Sequence, residues 1–220
     1  MSKISAIVSA YYCEDLLASR IDNIRENWCD PVIVCQEGSR EEEIALHAQA
    51  QVITTPDIPT IGKAWNIAIK AADGDLIIVA NSDDRFYLGG PIWMASELSK
   101  HPEAGLVFSD VNVLKAGIVS QWKRLNNPIG LVPDIAEVLK TRAIVGPMPM
   151  WRKSLHEEHG YFDESLVVAC DYDWWLRLAR AKVGFYYIAK PLGVYALRKD
   201  SLEHRNKNII AEENRKVRNA

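Results

Sequence analysis

The run Leu76-Ile77-Ile78-Val79-Ala80 contains no polar side chain, and the turn Ala72-Asp73-Gly74-Asp75 precedes it. A short Ile- and Val-rich run of this kind reads as a strand covered on both faces, which is the environment of a parallel sheet. The chain turns acidic where the run stops, at Asn81-Ser82-Asp83-Asp84. Open α/β sheets bind ligands beyond the carboxyl ends of their strands, so Asp83 and Asp84 are expected at such an edge. Two carboxylates there suit a hard divalent cation, Mg²⁺ or Mn²⁺, bridging to a phosphorylated ligand. An equally open reading makes one of them the cap of the helix after Gly89-Gly90-Pro91 and leaves the other solvated.

The preceding pattern supports the sheet. Ile4 to Ala10 and Pro31 to Cys35 read as strands, with a helix from Asp15 to Trp28 between them carrying Leu16, Leu17, Ile21 and Ile24 on one face. Arg40 to Gln49 is a second helix, whose acidic start suits the N-terminal dipole. Gln51 to Thr54 is a short strand, and Gly62 to Ala72 a third helix leading to the Leu76 run. This alternation predicts a mostly parallel sheet with right-handed crossovers. Gly105 to Leu114 is a later strand, Gly117 to Trp122 its hairpin partner, and Pro133 to Thr141 a helix. Gly146-Pro147-Met148-Pro149-Met150 excludes a helix; a loop at Trp151-Arg152 and a short helix ending near Gly160 follow. Asp171 to Ala181 is a strong helix and Gly184 to Ile188 a strand.

The formal charge of -3 and a pI near 6.0 offer no field for nucleic acid. Cys13, Cys29, Cys35 and Cys170 form no CxxC pair, so they read as buried, reduced thiols of a cytosolic protein, without zinc. Met1-Ser2-Lys3-Ile4 leads straight into a strand with no signal-peptide core. No apolar stretch approaches the ~20 residues of a membrane span. The expected location is cytoplasmic.

The first strand is followed by Ala10-Tyr11-Tyr12-Cys13-Glu14, so the G-x-G-x-x-G fingerprint is missing, as is Walker A. An ordered series of motifs from Ile4 to about Ser201 resembles instead the nucleotide-sugar glycosyltransferases of the GT-A fold, specifically the inverting family 2 group. Ser9-Ala10-Tyr11-Tyr12 resembles the strand end that lines the base pocket, with Glu14 closing the same donor-binding segment. Gln36-Glu37-Gly38-Ser39 stands where the family has Asp-Asp-Gly-Ser, with Glu37 at the position that bonds the uracil edge. Ile61-Gly62-Lys63-Ala64-Trp65-Asn66 resembles the segment under the donor, which implies donor contacts from Lys63 and Asn66. Asn81-Ser82-Asp83-Asp84 resembles the DXD element, implying Asp83 for ribose or metal and Asp84 for metal.

Gly160-Tyr161-Phe162-Asp163-Glu164 and Cys170-Asp171-Tyr172-Asp173-Trp174-Trp175-Leu176-Arg177 are similar to the family's "GxFDE … EDxDLxxR" segment, which makes Asp171 the implied catalytic base. Asn81 and Cys170 each replace a common acid. Tyr195, Arg198 and Ser201 resemble the tail loop that folds over the donor diphosphate, and the Gln-x-x-Arg-Trp signature of processive synthases is absent. The resemblance implies one GT-A domain over residues 1–202, with a nucleotide-sugar-binding half (1–110) and an acceptor and base half (111–202), then a basic tail (203–220). It implies a nucleotide sugar donor, with UDP-sugar favoured, a carbohydrate or other hydroxyl-bearing acceptor, and Mn²⁺ or Mg²⁺ as cofactor.

The residues themselves allow plainer roles. Asp171 precedes a helix and suits an N-cap, while Asp173 is spaced for an i,i+4 pair with Arg177. Trp174 and Trp175 point roughly 100° apart on a helix, so one can enter the core and the other face the acceptor; Trp151 is a candidate wall for the acceptor sugar. Core packing is the plainer role of both helix tryptophans. Arg198 and Lys199 suit a diphosphate clamp or a solvated surface, and His204 and Arg205 are weaker candidates. Glu203 to Ala220 is expected as a frayed surface helix, which would also suit attachment at the cytoplasmic face of a membrane. Two other functions compete: a sugar-1-phosphate nucleotidyltransferase, against which the missing Gly-rich basic loop argues, and a non-catalytic nucleotide-sugar or protein-binding module.

Overall fold

Each of the first three helices carries the chain back along the sheet, so the strands they join run parallel. In the computed structural model, which describes residues 2–198 and 206–219, these are β1 (Ile4–Ala10), α1 (Glu14–Glu26), β2 (Asp30–Gln36), α2 (Arg40–His47), β3 (Gln51–Thr55), α3 (Ile61–Ala71) and β4 (Leu76–Val79). They pair in the order β3-β2-β1-β4, all parallel, with Ala10 beside Cys35 and Ile7 beside Val79. The carboxyl ends of β1, β2 and β4 therefore lie side by side.

The second half extends this sheet. It consists of β5 (Arg85–Phe86), α4 (Gly90–Lys100), β6 (Ala104–Lys115), β7 (Ile118–Trp122), β8 (Gly130–Leu131), α5 (Ile135–Thr141), β9 (Met150–Arg152), α6 (Leu155–His159), α7 (Cys170–Arg180), β10 (Gly184–Ala196) and α8 (Lys207–Asn219). The β6-β7 hairpin forms as expected. The segment expected as a loop at Trp151-Arg152 is strand β9, wedged antiparallel between β4 and β6. Its three residues are too few to show a period, and the Pro-rich approach hides it. β10 runs parallel to β6 and continues past the expected end at Ile188, through register shifts on either side of Pro191, to Ala196.

Strand residues alternate between two cores. Ile7, Ile77 and Val79 meet α3, α5 and α7, whereas Ala6, Val8, Leu76 and Ile78 meet α1 and α4. All four cysteines are free and buried in these cores.

Trp151 and Trp174 are fully buried, so the expectation that either forms an acceptor wall is corrected. They belong to an aromatic cluster built around His156, which stacks on Trp174 at 4.2 Å and on Tyr161 at 5.0 Å between ring centres. Trp151 Nε1 donates to His156 Nε2 at 2.9 Å and Trp174 Nε1 donates to the Gly160 carbonyl at 3.1 Å. Tryptophan brings more apolar area than any other side chain, and burial of that area decides its position here.

The C-terminal segment is also more than a frayed surface helix. α8 packs on α7 with Val217 in the core, and the buried Glu213 carboxylate accepts the backbone N–H groups of Val167, Val168 and Ala169 at 2.7–2.9 Å. Arg218 Nε donates to the Tyr172 hydroxyl. The positions assigned to Lys199, Ser201, His204 and Arg205 lie outside the described residues. Among the described residues no helix is long and apolar enough to cross a membrane.

Two outcomes follow from this packing. Glu213→Ala strands three N–H groups and is expected to lower stability by about 2–4 kcal/mol, read by urea denaturation, with faster amide exchange at residues 167–169. Burial holds His156 down to about 4, from 6.5. A base with a depressed folded pKa contributes stability that is complete above pH 6.5 and is lost as pH falls toward 4. Denaturation curves across that window should show the decline, and His156→Gln should flatten it.

Candidate functional site

Asn81 to Asp84 turns directly beyond β4, and its two carboxylates divide their tasks by burial. Asp84 is fully buried; Oδ2 accepts from Asn81 Nδ2 at 3.2 Å and Oδ1 from the Ala196 backbone N–H at 3.0 Å. Burial, reinforced by the charge of Asp83, pushes the Asp84 carboxyl up to about 7. Asp83 is half-buried and is also raised by burial, while Arg198, Arg20 and Arg85 oppose the rise. Of the pair, Asp83 is the carboxylate with an open side, and the expectation that Asp84 holds a metal is corrected: it is fully buried, with both oxygens spent on tying the turn to Asn81 and the end of β10. The capping alternative is corrected: the cap residue of α4 is Gly89, in the left-handed region at φ 79°, with Pro91 in the first turn.

A polar stripe on α1 holds this turn. Arg85 donates through Nη1 to the carbonyls of Ser82 (3.0 Å) and Asp84 (2.7 Å) and through Nη2 to Ser19 Oγ (2.6 Å). Asn23 grips the Phe86 backbone twice, Nδ2 donating to its carbonyl at 3.1 Å and Oδ1 accepting its N–H at 2.9 Å. Asn27 Oδ1 accepts the Gly89 N–H at 2.9 Å. Arg20, fully buried, lies over the Phe86 ring at 4.1 Å, and burial lowers it to about 10. Sequence reading passed over these residues, although Ser19, Asn23 and Asn27 recur at the i, i+4, i+8 spacing of one helical face.

The neighbouring strand ends supply the other edge residues. Ser9 is half-buried near the end of β1, and the Tyr11 hydroxyl meets Thr55 Oγ1 at 2.9 Å. Glu37 is exposed beyond β2. Exposed Glu14 and Arg198 line one shallow cleft with Tyr12, Cys13, Asp15 and Leu16, and the Arg198 charge acts on Asp83. Lys63 is exposed on the first turn of α3. Asn66 is corrected: it is buried, Nδ2 donates to the Phe162 carbonyl and Glu164 Oε1, and Oδ1 accepts the Phe162 N–H, all at 3.0 Å. That amide joins α3 to the segment before α7 and has no face left for a ligand.

Asp171 lies within the first turn of α7, half-buried, with Oδ1 accepting the Tyr172 N–H at 2.6 Å. The cap position belongs to Ala169, and Glu213 satisfies the N–H groups there, so the N-cap reading of Asp171 is also corrected. Asp173 pairs with Arg177 at 2.9 Å as expected. A Cβ at Gly62 would lie 3.1 Å from Cys170 Cβ, so glycine allows the N-termini of α3 and α7 to touch, beside both Lys63 and Asp171.

Among the described residues no group of three His, Cys, Asp or Glu side chains could cage a metal. A cation held largely by substrate phosphates needs only one or two protein carboxylates, and half-open Asp83 fits that smaller requirement.

The family model described as "Glycosyl transferase family 2" matches residues 5–160. The protein YwdF of Bacillus subtilis (strain 168), an uncharacterized glycosyltransferase, is 30% identical over 121 residues, or 53% of this chain and 43% of its own. Crystal structures of S. aureus TarS 1-349 share the fold at 17% identity. The complex with UDP-GlcNAc has a TM-score of 0.75, covering 90% of this chain and 60% of that one. The complex with UDP has a TM-score of 0.72, covering 96% and 65%. The chain thus spans less than half of the curated relative and less than two thirds of these solved chains.

Asn23→Ala removes both bonds to the Phe86 backbone. It is expected to cost about 1–3 kcal/mol in urea denaturation and to speed amide exchange at Phe86, loosening the segment that carries Asp83.

Proposed function

Because this chain belongs to glycosyl transferase family 2, we propose that it moves one sugar from a nucleoside diphosphate sugar to an acceptor hydroxyl, with inversion at the anomeric carbon. The observation that carries the reading is the half-open Asp83, which shares one sheet edge with Tyr11 and Glu37 and lies in the field of Arg198. The TarS complexes with UDP-GlcNAc and UDP support a UDP-sugar as the donor. Ser9, Tyr11 and Glu37 would line the nucleoside, with Glu14, Lys63 and Arg198 around the diphosphate.

An acceptor hydroxyl is a weak nucleophile, and a carboxylate on the face opposite the leaving group can take its proton as attack proceeds. Asp171 is assigned that role. Its Oδ1 is oriented by the Tyr172 N–H in the first turn of α7. The new bond joins the acceptor oxygen to the anomeric carbon while the bond from that carbon to the phosphate oxygen breaks. The electron pair leaves on the diphosphate, and the acceptor proton rests on Asp171. Asp83 is the residue that would hold Mn²⁺ or Mg²⁺, which supplies Lewis-acid neutralisation of the leaving diphosphate.

Calorimetry with UDP, GDP and dTDP, in Mn²⁺ and in EDTA, tests the donor and the cation together. UDP is expected to bind best, EDTA to weaken it, and Asp83→Ala to remove the metal dependence. Asp171→Asn is expected to cut turnover about 10²–10⁴-fold with UDP affinity unchanged. Wild-type turnover in that variant would exclude Asp171 as the base.

A further inference from the structure

Arg124 lies just beyond β7, in a segment that carries no recognisable motif, yet the residue is only 6% exposed. Its backbone N–H is held by Asp110 Oδ1 at 2.7 Å, and Asp110 is itself buried and accepts from the Tyr187 hydroxyl at 2.7 Å. Its Nε donates to the Ile144 carbonyl at 2.8 Å, and the guanidinium lies 4.2 Å over the Trp122 ring. Gly146, at φ 87°, closes the other side, and a Cβ there would meet the guanidinium at 3.0 Å. The surrounding structure thus sets this cation in one orientation. Nη1 is nevertheless buried with no hydrogen-bond partner among the described residues. An unpaired buried donor on a charged group is costly, and such an exception calls for a ligand or a function.

The surroundings indicate which ligand. The carboxylates whose charge acts on Arg124 are Asp110 and Asp171, with Arg142 opposing them. Tyr195 directly precedes Ala196, whose N–H holds Asp84. The Trp122 ring under the guanidinium meets the Tyr195 ring at 6.2 Å between centres, so packed side chains lead from Arg124 to the anchor of the acidic turn. We propose that Arg124 is a substrate-contacting residue, whose free Nη1–H is the donor to a phosphate oxygen of the sugar donor's diphosphate. This rests on the nucleotide-sugar reading above. Guanidinium to phosphate is a charge-assisted bond, and it strengthens as negative charge collects on the leaving group.

The test is calorimetry of the full chain in Mg²⁺ buffer with pyrophosphate, UDP and uridine. Arg124→Met is expected to weaken pyrophosphate and UDP about 30-fold and to leave uridine unchanged. Arg124→Lys keeps the charge and the stem but not the fork. It is expected to lose about 10-fold, and it decides the matter if Arg124→Met melts below assay temperature. Wild-type affinity for pyrophosphate in the deciding variant overturns the proposal, as does the absence of saturable pyrophosphate binding to the unmodified protein. Pyrophosphate binding that depends on Arg124, in a protein indifferent to UDP and uridine, would remove the uridine donor and leave the Arg124 assignment standing. A fall in turnover with no change in pyrophosphate affinity also overturns it, and assigns Arg124 to positioning Asp171 instead.

Discussion

β1 and β4 are covered on both faces, and this constraint shapes everything else in the molecule. A strand between two apolar layers has little room for charged side chains, so charged groups collect where it ends. β1 is followed by Tyr11, β2 by Glu37 and β4 by the acidic turn, and parallel pairing in register sets these ends beside one another. The candidate site is thus a consequence of how the sheet excludes water.

Placing polar residues at an edge does not by itself hold them still. The turn after β4 is fixed from beneath by α1, through Ser19, Asn23 and Asn27, and from the side by Ala196 at the end of β10. Asp84 is the carboxylate consumed in that anchoring, and Asp83 is left facing outward. The start of α7 is held similarly: Glu213 accepts the N–H groups of residues 167–169, and Asp171 Oδ1 accepts that of Tyr172 in the first turn. In both places a fully or nearly buried carboxylate bears a structural duty beside a half-buried one. Such supporting bonds keep a site in one geometry before a ligand arrives.

The arginines follow the same economy only in part. Arg177 spends its nitrogens on Asp173 and on the carbonyls of His159 and Tyr161. Arg20 and Arg124 retain buried nitrogens with no partner among the described residues, one beneath the acidic turn and the other near Asp171. Desolvated positive charge in these positions favours anionic ligands over neutral ones.

Period and local chemistry made the parallel half readable. The Leu76 run, the apolar face of α1, the acidic start of α2, the β6-β7 hairpin and the Asp173–Arg177 pair all depend on neighbours within about one helical turn or one strand, and all appear as expected. What escaped depends on distant partners. Trp151 was hidden because a three-residue strand has no period, and Asn66 because its partners are some hundred positions away, at Phe162 and Glu164. Glu213 reads as a solvated tail residue until α8 docks on α7. The sequence by itself determined which strands are buried and which residue types stand at their ends, because hydrophobic period and turn chemistry are local. Only the tertiary structure decided which carboxylate stays open and which is spent on the scaffold, because burial and hydrogen-bond satisfaction depend on residues far apart in the chain.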